Sequence, residues 1–235
     1  MNKKIYIVPD MSHYQIDVPL ANEWLESTPC PYLFLKASEG ETYKDNKILT
    51  LLDKFATNHI RRGTGRIVIG LYHFCRLDNK NGMQTASERA KAEMKNFFQV
   101  INTVRDYLCN EYGGSIRVLD IVPILDWEAK NLTQPNRANY LITCIEECMK
   151  ICGTQPMLYC SASVTGSNEC KVVRATYPSV PLWVAHYNKD KPRVSYWTEW
   201  TAWQFTSAPF DLSFVRDTID TFVVKHINKV LLEGK

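Results

Sequence analysis

Asp126 and Glu128 stand one residue apart at the end of the apolar run Ile121 to Leu125. Side chains alternate along a strand, so both carboxyls leave the same face, with their backbones roughly 6.5 to 7 Å apart. Carboxyls this close oppose each other's ionisation, and the more enclosed one is expected to keep its proton to higher pH. A proton-holding carboxyl beside a charged one is what glycoside hydrolysis uses, the first protonating the leaving oxygen and the second supporting or attacking the sugar carbon. The spacing falls between the ~5 to 5.5 Å of a direct nucleophile pair and the ~6.5 to 9.5 Å of an inverting pair, so it does not choose the route.

Three further predicted strands end in polar groups: Asp10 after Ile5 to Val8, Glu39 after Tyr32 to Leu35, and His73 after Ile67 to Leu71. In an α/β barrel the C-terminal strand ends share one mouth, where these groups are expected to meet the carboxyl pair. The last third of the chain adds Trp183, Tyr187, Trp197, Trp200 and Trp203. Trp183, Ala185 and Tyr187 share one parity, so they line one face and leave room for a sugar to stack between ring-bearing positions. Two or three of these five aromatics are expected to serve packing instead.

The elements that must carry these residues follow from hydrophobic period. Short runs rich in β-branched and aromatic residues alternate with longer helical stretches, which predicts an α/β fold with a largely parallel sheet. The strand candidates are Ile5 to Asp10, Tyr32 to Glu39, Ile67 to Phe74, Ile121 to Glu128, Met157 to Ser161, Pro181 to Tyr187, Thr201 to Thr206 and Thr218 to Val224. One helix carries Ile48, Leu52, Phe55 and Ile60, and a longer one runs from Ala90 through Leu108. Another opens near Thr133 with Pro135 in its first turn and stops at Gly153. No strong helical period follows Ser161, so helices are expected mainly in the first two-thirds. With no repeat, low-complexity tract or linker, residues 1–235 read as a single barrel domain without a separate binding module.

Composition narrows the partners. A formal charge of +3 without a basic run gives no nucleic-acid footprint. No apolar stretch approaches the ~20 residues of a spanning helix, and the first ten residues read as a strand rather than a signal peptide. The eight cysteines, in a chain large enough to bury its own core, are expected as reduced thiols, including the helical series Cys144, Cys148 and Cys152. The five histidines show no ligand spacing, so neither a metal nor another cofactor is implied.

Six motifs stand in order: Asp10-Met11-Ser12-His13-Tyr14-Gln15, Lys36-Ala37-Ser38-Glu39-Gly40, Gly70-Leu71-Tyr72-His73-Phe74, Pro123-Ile124-Leu125-Asp126-Trp127-Glu128, Trp183-Val184-Ala185-His186-Tyr187 and Trp203-Gln204-Phe205-Thr206. Together they resemble the family 25 glycoside hydrolases, the bacterial and phage lysozymes also called N-acetylmuramidases. The resemblance implies an irregular, flattened TIM-like barrel of eight strands with about five helices. It implies cleavage of the β-1,4 bond between N-acetylmuramic acid and N-acetylglucosamine in bacterial peptidoglycan. The reading of the first ten residues as a strand leads to the expectation of a monomer acting on the wall as a phage lysin released through a pore, with a bacterial origin left open. Glu128 matches the proton donor, and Asp126 and Asp10 match carboxylates around the reacting sugar. A C-terminal carboxylate matches Asp220 in Ile219-Asp220-Thr221-Phe222, with Asp217 three residues before it. Lys36, Glu39, Tyr72, His73, Trp183, Tyr187 and Gln204 are the expected substrate contacts. The chain departs from the family after Gln15, where Ile16-Asp17-Val18 follows without the usual spacer and Asp-Trp. It departs again at Trp127, where a small aliphatic residue is usual.

Two other readings start from the same residues. A chitinase-like barrel ends its fourth strand in Asp-x-x-Asp-x-Asp-x-Glu, but the earlier acidic positions here are Ile121 and Ile124. A catalytically silent glycan-binding barrel would not need both Asp126 and Glu128.

Overall fold

The computed structural model describes residues 4–76, 85–113, 115–116, 118–128 and 136–227. Its strands are β1 (Ile5–Met11), β2 (Tyr32–Glu39), β3 (Tyr43–Lys44), β4 (Arg66–Phe74), β5 (Val118–Asp126), β6 (Met157–Ser161), β7 (Leu182–Ala185), β8 (Ala202–Thr206) and β9 (Leu212–Arg216). The helices are α1 (Pro19–Ser27), α2 (Ile48–Arg61), α3 (Ala86–Tyr112), α4 (Asn136–Cys152) and α5 (Asn168–Thr176). The strand order β1-β9-β8-β7-β6-β5-β4-β2 closes through β1 and β2, where Asp10 pairs with Phe34 and Met11 with Leu35, and β3 is a two-residue flank on β2. The result is a closed eight-stranded α/β barrel. Seven of its strands run parallel, and β9 is antiparallel to both β8 and β1.

Strand alternation divides the core in two. Inward residues, among them Val8, Phe34, Val68, Val122, Ile124, Met157 and Trp183, fill the barrel. Outward residues such as Leu33, Leu35, Ile69, Leu71, Leu125 and Leu158 meet the apolar stripes of the helices. Ile124 therefore lies inside beneath Asp126, while Leu125 and Trp127 face outward. Gly153, at φ +67°, ends α4 in the left-handed conformation that glycine adopts without strain. The expected helix start at Thr133 and Pro135 lies outside the described residues. No helix among the described residues is long and apolar enough to cross a membrane, and all eight cysteines are free thiols.

Two expectations change. The eighth barrel strand is Leu212–Arg216, not Thr218 to Val224, because Asp217–Phe222 forms a 3-10 turn that puts Ile219 into the barrel. Its inward Ser213 breaks the apolar alternation, yet that hydroxyl accepts a hydrogen bond from Trp183 Nε1 at 2.9 Å. Helix α5 also forms after Ser161, capped by the Ser167 side chain on Cys170 N–H. It buries only Glu169, Cys170 and Val173, too few for a visible stripe.

Gly70 sits where β4 crosses the narrow interior. A Cβ there would lie 2.3 Å from Phe34 Cδ1 and 2.9 Å from Ile124 Cδ1. Gly70→Ala is expected to overpack the barrel and cost about 1 to 3 kcal/mol, read as a lower urea midpoint. An unchanged midpoint would mean that the interior yields freely at this point.

Candidate active site

The C-terminal strand ends surround a cavity of about 280 Å³. β1 contributes Asp10 and β5 contributes Asp126, both inward by alternation and both buried. Glu128 lies two residues past Asp126, exposed on the lip, and Asp211 enters from the loop joining β8 to β9. Lys36 of β2 with Tyr72 and Phe74 of β4 form one wall. Tyr159, Tyr187 and Gln204 form the opposite one, with Trp183 at the floor. At the near edge Ser12 caps a short 3-10 turn, His13–Gln15, and Gln15 closes the capping box, which sets Tyr14 and Gln15 against the opening.

The Gln204 amide is the polar hub. Its Nε2 donates to Asp10 Oδ2 at 2.9 Å. Its Oε1 accepts from Tyr159 OH at 2.9 Å and Tyr187 OH at 2.6 Å. Across the cavity Lys36 Nζ donates to Glu39 Oε2 at 2.6 Å, and Glu39 also pairs with Arg76. Asp126 Oδ1 is buried and meets no protein donor.

These surroundings hold protons on the enclosed carboxyls. Burial, then the Asp211 charge, pushes Asp10 up to about 8 against the opposing Gln204 hydrogen bond. Asp126 is raised well above the ordinary value by burial, then by Glu128 and Asp10, with Lys36 opposing. Asp211 is raised by burial and by Glu128. The more enclosed member of the Asp126 and Glu128 pair is thus Asp126, so enclosure places the retained proton on the member that the family resemblance does not make the proton donor.

Of the expected contacts, Asp10, Lys36, Tyr72, Asp126, Glu128, Trp183, Tyr187 and Gln204 line the cavity. Trp183 is largely buried, edge-on to Phe34 at 4.9 Å, so it forms floor rather than an open stacking platform, whereas Tyr187 is an exposed lip. Three residues lie elsewhere. His73 sits between inward Tyr72 and Phe74, so alternation turns it outward, where its Nε2 meets Glu93 of α3 at 3.0 Å. Glu39 is not part of the lining: a register shift between Lys36 and Ser38 sets it beside Phe74, and its carboxyl clamps Lys36 and Arg76. Asp220 is at the opposite end of the barrel: β9 runs away from the mouth, and Asp220 binds Arg66 at the start of β4 at 2.9 Å and Tyr32 OH at 3.1 Å. Asp217 follows β9 to the same end and accepts from Lys4 N–H.

The C-terminal carboxylate in the cavity is Asp211. Its signal was the turn-like Ser207 to Asp211 between two strands, legible only once β9 is placed after it. Ser12, Tyr14, Gln15, Phe74 and Tyr159 also line the cavity. Phase alone would have found Phe74 and Tyr159, each two positions from an inward residue. Trp197 and Trp200 belong to the outer core, and Trp203 packs against it. No cluster of His, Cys, Asp or Glu able to hold a metal occurs among the described residues.

Comparison with known proteins places this cavity in a family. The sequence model described as Glycosyl hydrolases family 25 matches residues 9–211. Lysozyme M1 of Streptomyces globisporus is 24% identical over 211 residues, covering 84% of this chain, and the chain spans 60% of that relative's length. A muramidase from Trichobolus zukalii superposes with a TM-score of 0.62 at 20% identity, over 97% of this chain and 99% of its own. The modular Cpl-1 endolysin, solved in complex with a peptidoglycan analogue, superposes with a TM-score of 0.61 at 20% identity, over 91% of this chain and 54% of its own. The structural likenesses carry the fold, and the family match spans both strand ends that bear the buried carboxyls, so the chain belongs to the glycosyl hydrolases of family 25.

Proposed function

We propose that the chain is a 1,4-β-N-acetylmuramidase that cuts peptidoglycan between N-acetylmuramic acid and N-acetylglucosamine. The observation that carries this reading is the convergence of Asp10, Asp126, Glu128 and Asp211 in one aromatic-walled cavity of a family 25 barrel. Relatives named lysozyme and muramidase, and one solved with a peptidoglycan analogue, support the substrate.

Glu128, exposed on the lip, is the proton donor to the leaving oxygen and later the base for water. The 2-acetamido oxygen of the substrate attacks the sugar carbon, with net retention. Asp126 lies beneath it, and its unpartnered Oδ1 is free to accept the acetamide N–H and orient that oxygen. Asp126 holds a proton in the free cavity; positive charge developing on the sugar favours its ionised form, and it is the ionised form that stabilises that charge electrostatically. Gln204 and its two tyrosines hold Asp10 against the same sugar. Tyr187 offers a ring to the glycan, and Asp211 replaces Asp220 as the fourth carboxyl of the site.

Glu128→Gln keeps the side-chain shape but has no proton to give, and is expected to slow wall lysis about 10² to 10⁴-fold while the protein stays folded. Near-normal clearing of a cell-wall suspension by the folded variant would remove Glu128 from this role. Retention requires the β-anomer of the product first by NMR, and acetamide attack requires that glycan with de-N-acetylated muramic acid be cut far more slowly. An α-anomer appearing first, or equal rates on both glycans, would overturn that route.

The raised carboxyls also set a pH dependence. An unfolded Asp titrates near 3.9, so between about pH 4 and 8 the folded chain holds a proton at Asp10 that the unfolded chain has released. Stability from this group therefore falls as pH rises, by about 1.4 kcal/mol per unit for each retained proton. Asp10→Asn is expected to melt several degrees above the parent at pH 7.5 and to differ little near pH 4. A constant difference between the two melting curves at all pH values would contradict the proton assignment.

A further inference from the structure

Outside the cavity, His73, Glu93 and Tyr140 are wholly buried polar side chains that the proposed reaction does not use. A buried carboxylate is tolerated only when donors surround it. One oxygen, Glu93 Oε2, accepts from Tyr140 OH at 2.7 Å, from His73 Nε2 at 3.0 Å and from the Arg76 backbone N–H at 3.0 Å. Burial pushes the Glu93 carboxyl up, but the bonds from His73, Arg76 and Tyr140 outweigh it and hold it below the ordinary value. A carboxylate only accepts, so His73 Nε2 carries the proton. The other ring nitrogen lies 2.8 Å from Ser38 Oγ. The cluster ties the ends of β2 and β4 to α3 and α4.

The cluster reaches the carboxyl pair through Trp127. The Tyr140 ring stacks on this indole, with centroids 5.7 Å apart and planes 27° from parallel. Trp127 is wholly buried, and its backbone N–H donates to Tyr159 O at 2.9 Å. It stands between Asp126 and Glu128, so turning the indole toward the helices is what turns both carboxyls toward the cavity. β5 ends at Asp126, and Glu128 lies beyond the ladder with no strand pairing of its own. Rotation of the indole would carry the Glu128 backbone with it. The same Arg76 N–H that binds Glu93 follows Cys75, whose N–H donates to Asp126 O at 3.0 Å, so the cluster holds the strand end from both sides.

We propose that Tyr140 and Glu93 are positioning residues, acting through the Trp127 stack to fix where Glu128 presents its carboxyl. This rests on Glu128 being the proton donor. Tyr140→Phe keeps the ring and removes the bond to Glu93. On solubilised peptidoglycan it is expected to lower kcat about tenfold with KM changed less than about twofold, since displacements near 1 Å cost up to about 10² in rate. In a Trp127→Leu background the same substitution is expected to change kcat less than about twofold, because the route it acts through is gone. If Tyr140→Phe does not fold, Glu93→Gln takes its place in both backgrounds.

A substrate-free measurement separates this proposal from the functional reading. Titration of the Glu128 carboxyl by ¹³C NMR is expected to show a displaced curve in Tyr140→Phe relative to the parent. Trp127→Leu with and without Tyr140→Phe is expected to give one and the same curve. If the parent releases no muropeptides, the functional reading falls and the NMR curves alone judge the positioning. An unchanged kcat and an unchanged curve beside a lowered melting temperature would reduce Tyr140 to a structural role. An equal loss in both backgrounds would show that it acts by a route other than Trp127.

Discussion

Taking Asp10 and Asp126 out of water within one small cavity is the constraint to which the rest of the molecule answers. An ionised carboxyl loses far more on burial than a neutral one, and with Asp211 and Glu128 close by each added charge makes the next more costly. The site meets this by retaining protons and by supplying a few donors. Gln204 gives one N–H to Asp10, and its oxygen is occupied by two tyrosine hydroxyls, so the amide cannot flip without leaving donors facing donors. Lys36 is the cation of the lining, and Glu39, itself paired with Arg76, holds its ammonium over the Phe74 ring at 5.3 Å.

The barrel makes that constraint persist. Phe34, Ile124, Met157 and Trp183 fill the interior under the carboxyls, so no polar medium reaches them from below. Charge returns at the far end, where Arg66 joins Asp120 at 2.7 Å and Asp220 at 2.9 Å. These pairs are partly exposed and contribute little individually to stability, but they let the strand beginnings end in water. The antiparallel β9 connects the two ends: it leaves the mouth just after Asp211 and delivers Asp217 and Asp220 to the base.

That reversal explains what sequence could and could not convey. Strands β1, β2, β4 and β5 were legible because each is an apolar run that meets a polar residue near its end, and period 2 correctly turned Asp126 inward and Trp127 outward. Tyr72 and His73 are adjacent, so the same rule forbids both from facing the mouth, a consequence that motif matching passes over. Strict alternation from Lys36 would turn Glu39 outward, and the register shift that sets it beside Phe74 instead is announced by no local residue pattern. Asp220 was misplaced for a different reason. A strand holding Ser213 in its buried row does not look like barrel wall until Trp183, thirty residues earlier, supplies the hydrogen bond.

Burial alone does not determine what a carboxyl does in this fold. Glu93 and Asp126 are both buried, and both lie within one residue of the Trp127 and Tyr140 stack or its hydrogen bond. Glu93 is encircled by donors from a phenol, an imidazole and a backbone amide, so the anion is the favoured form. Asp126 faces other carboxyls and leaves one oxygen unpartnered, so the proton is retained. The first arrangement is complete and rigid, as a support must be. The second is incomplete in the empty cavity, and the missing partner is one that a substrate amide can supply. A single indole separates them, with its outer face on the finished network and the carboxyl pair on either side of it in the chain.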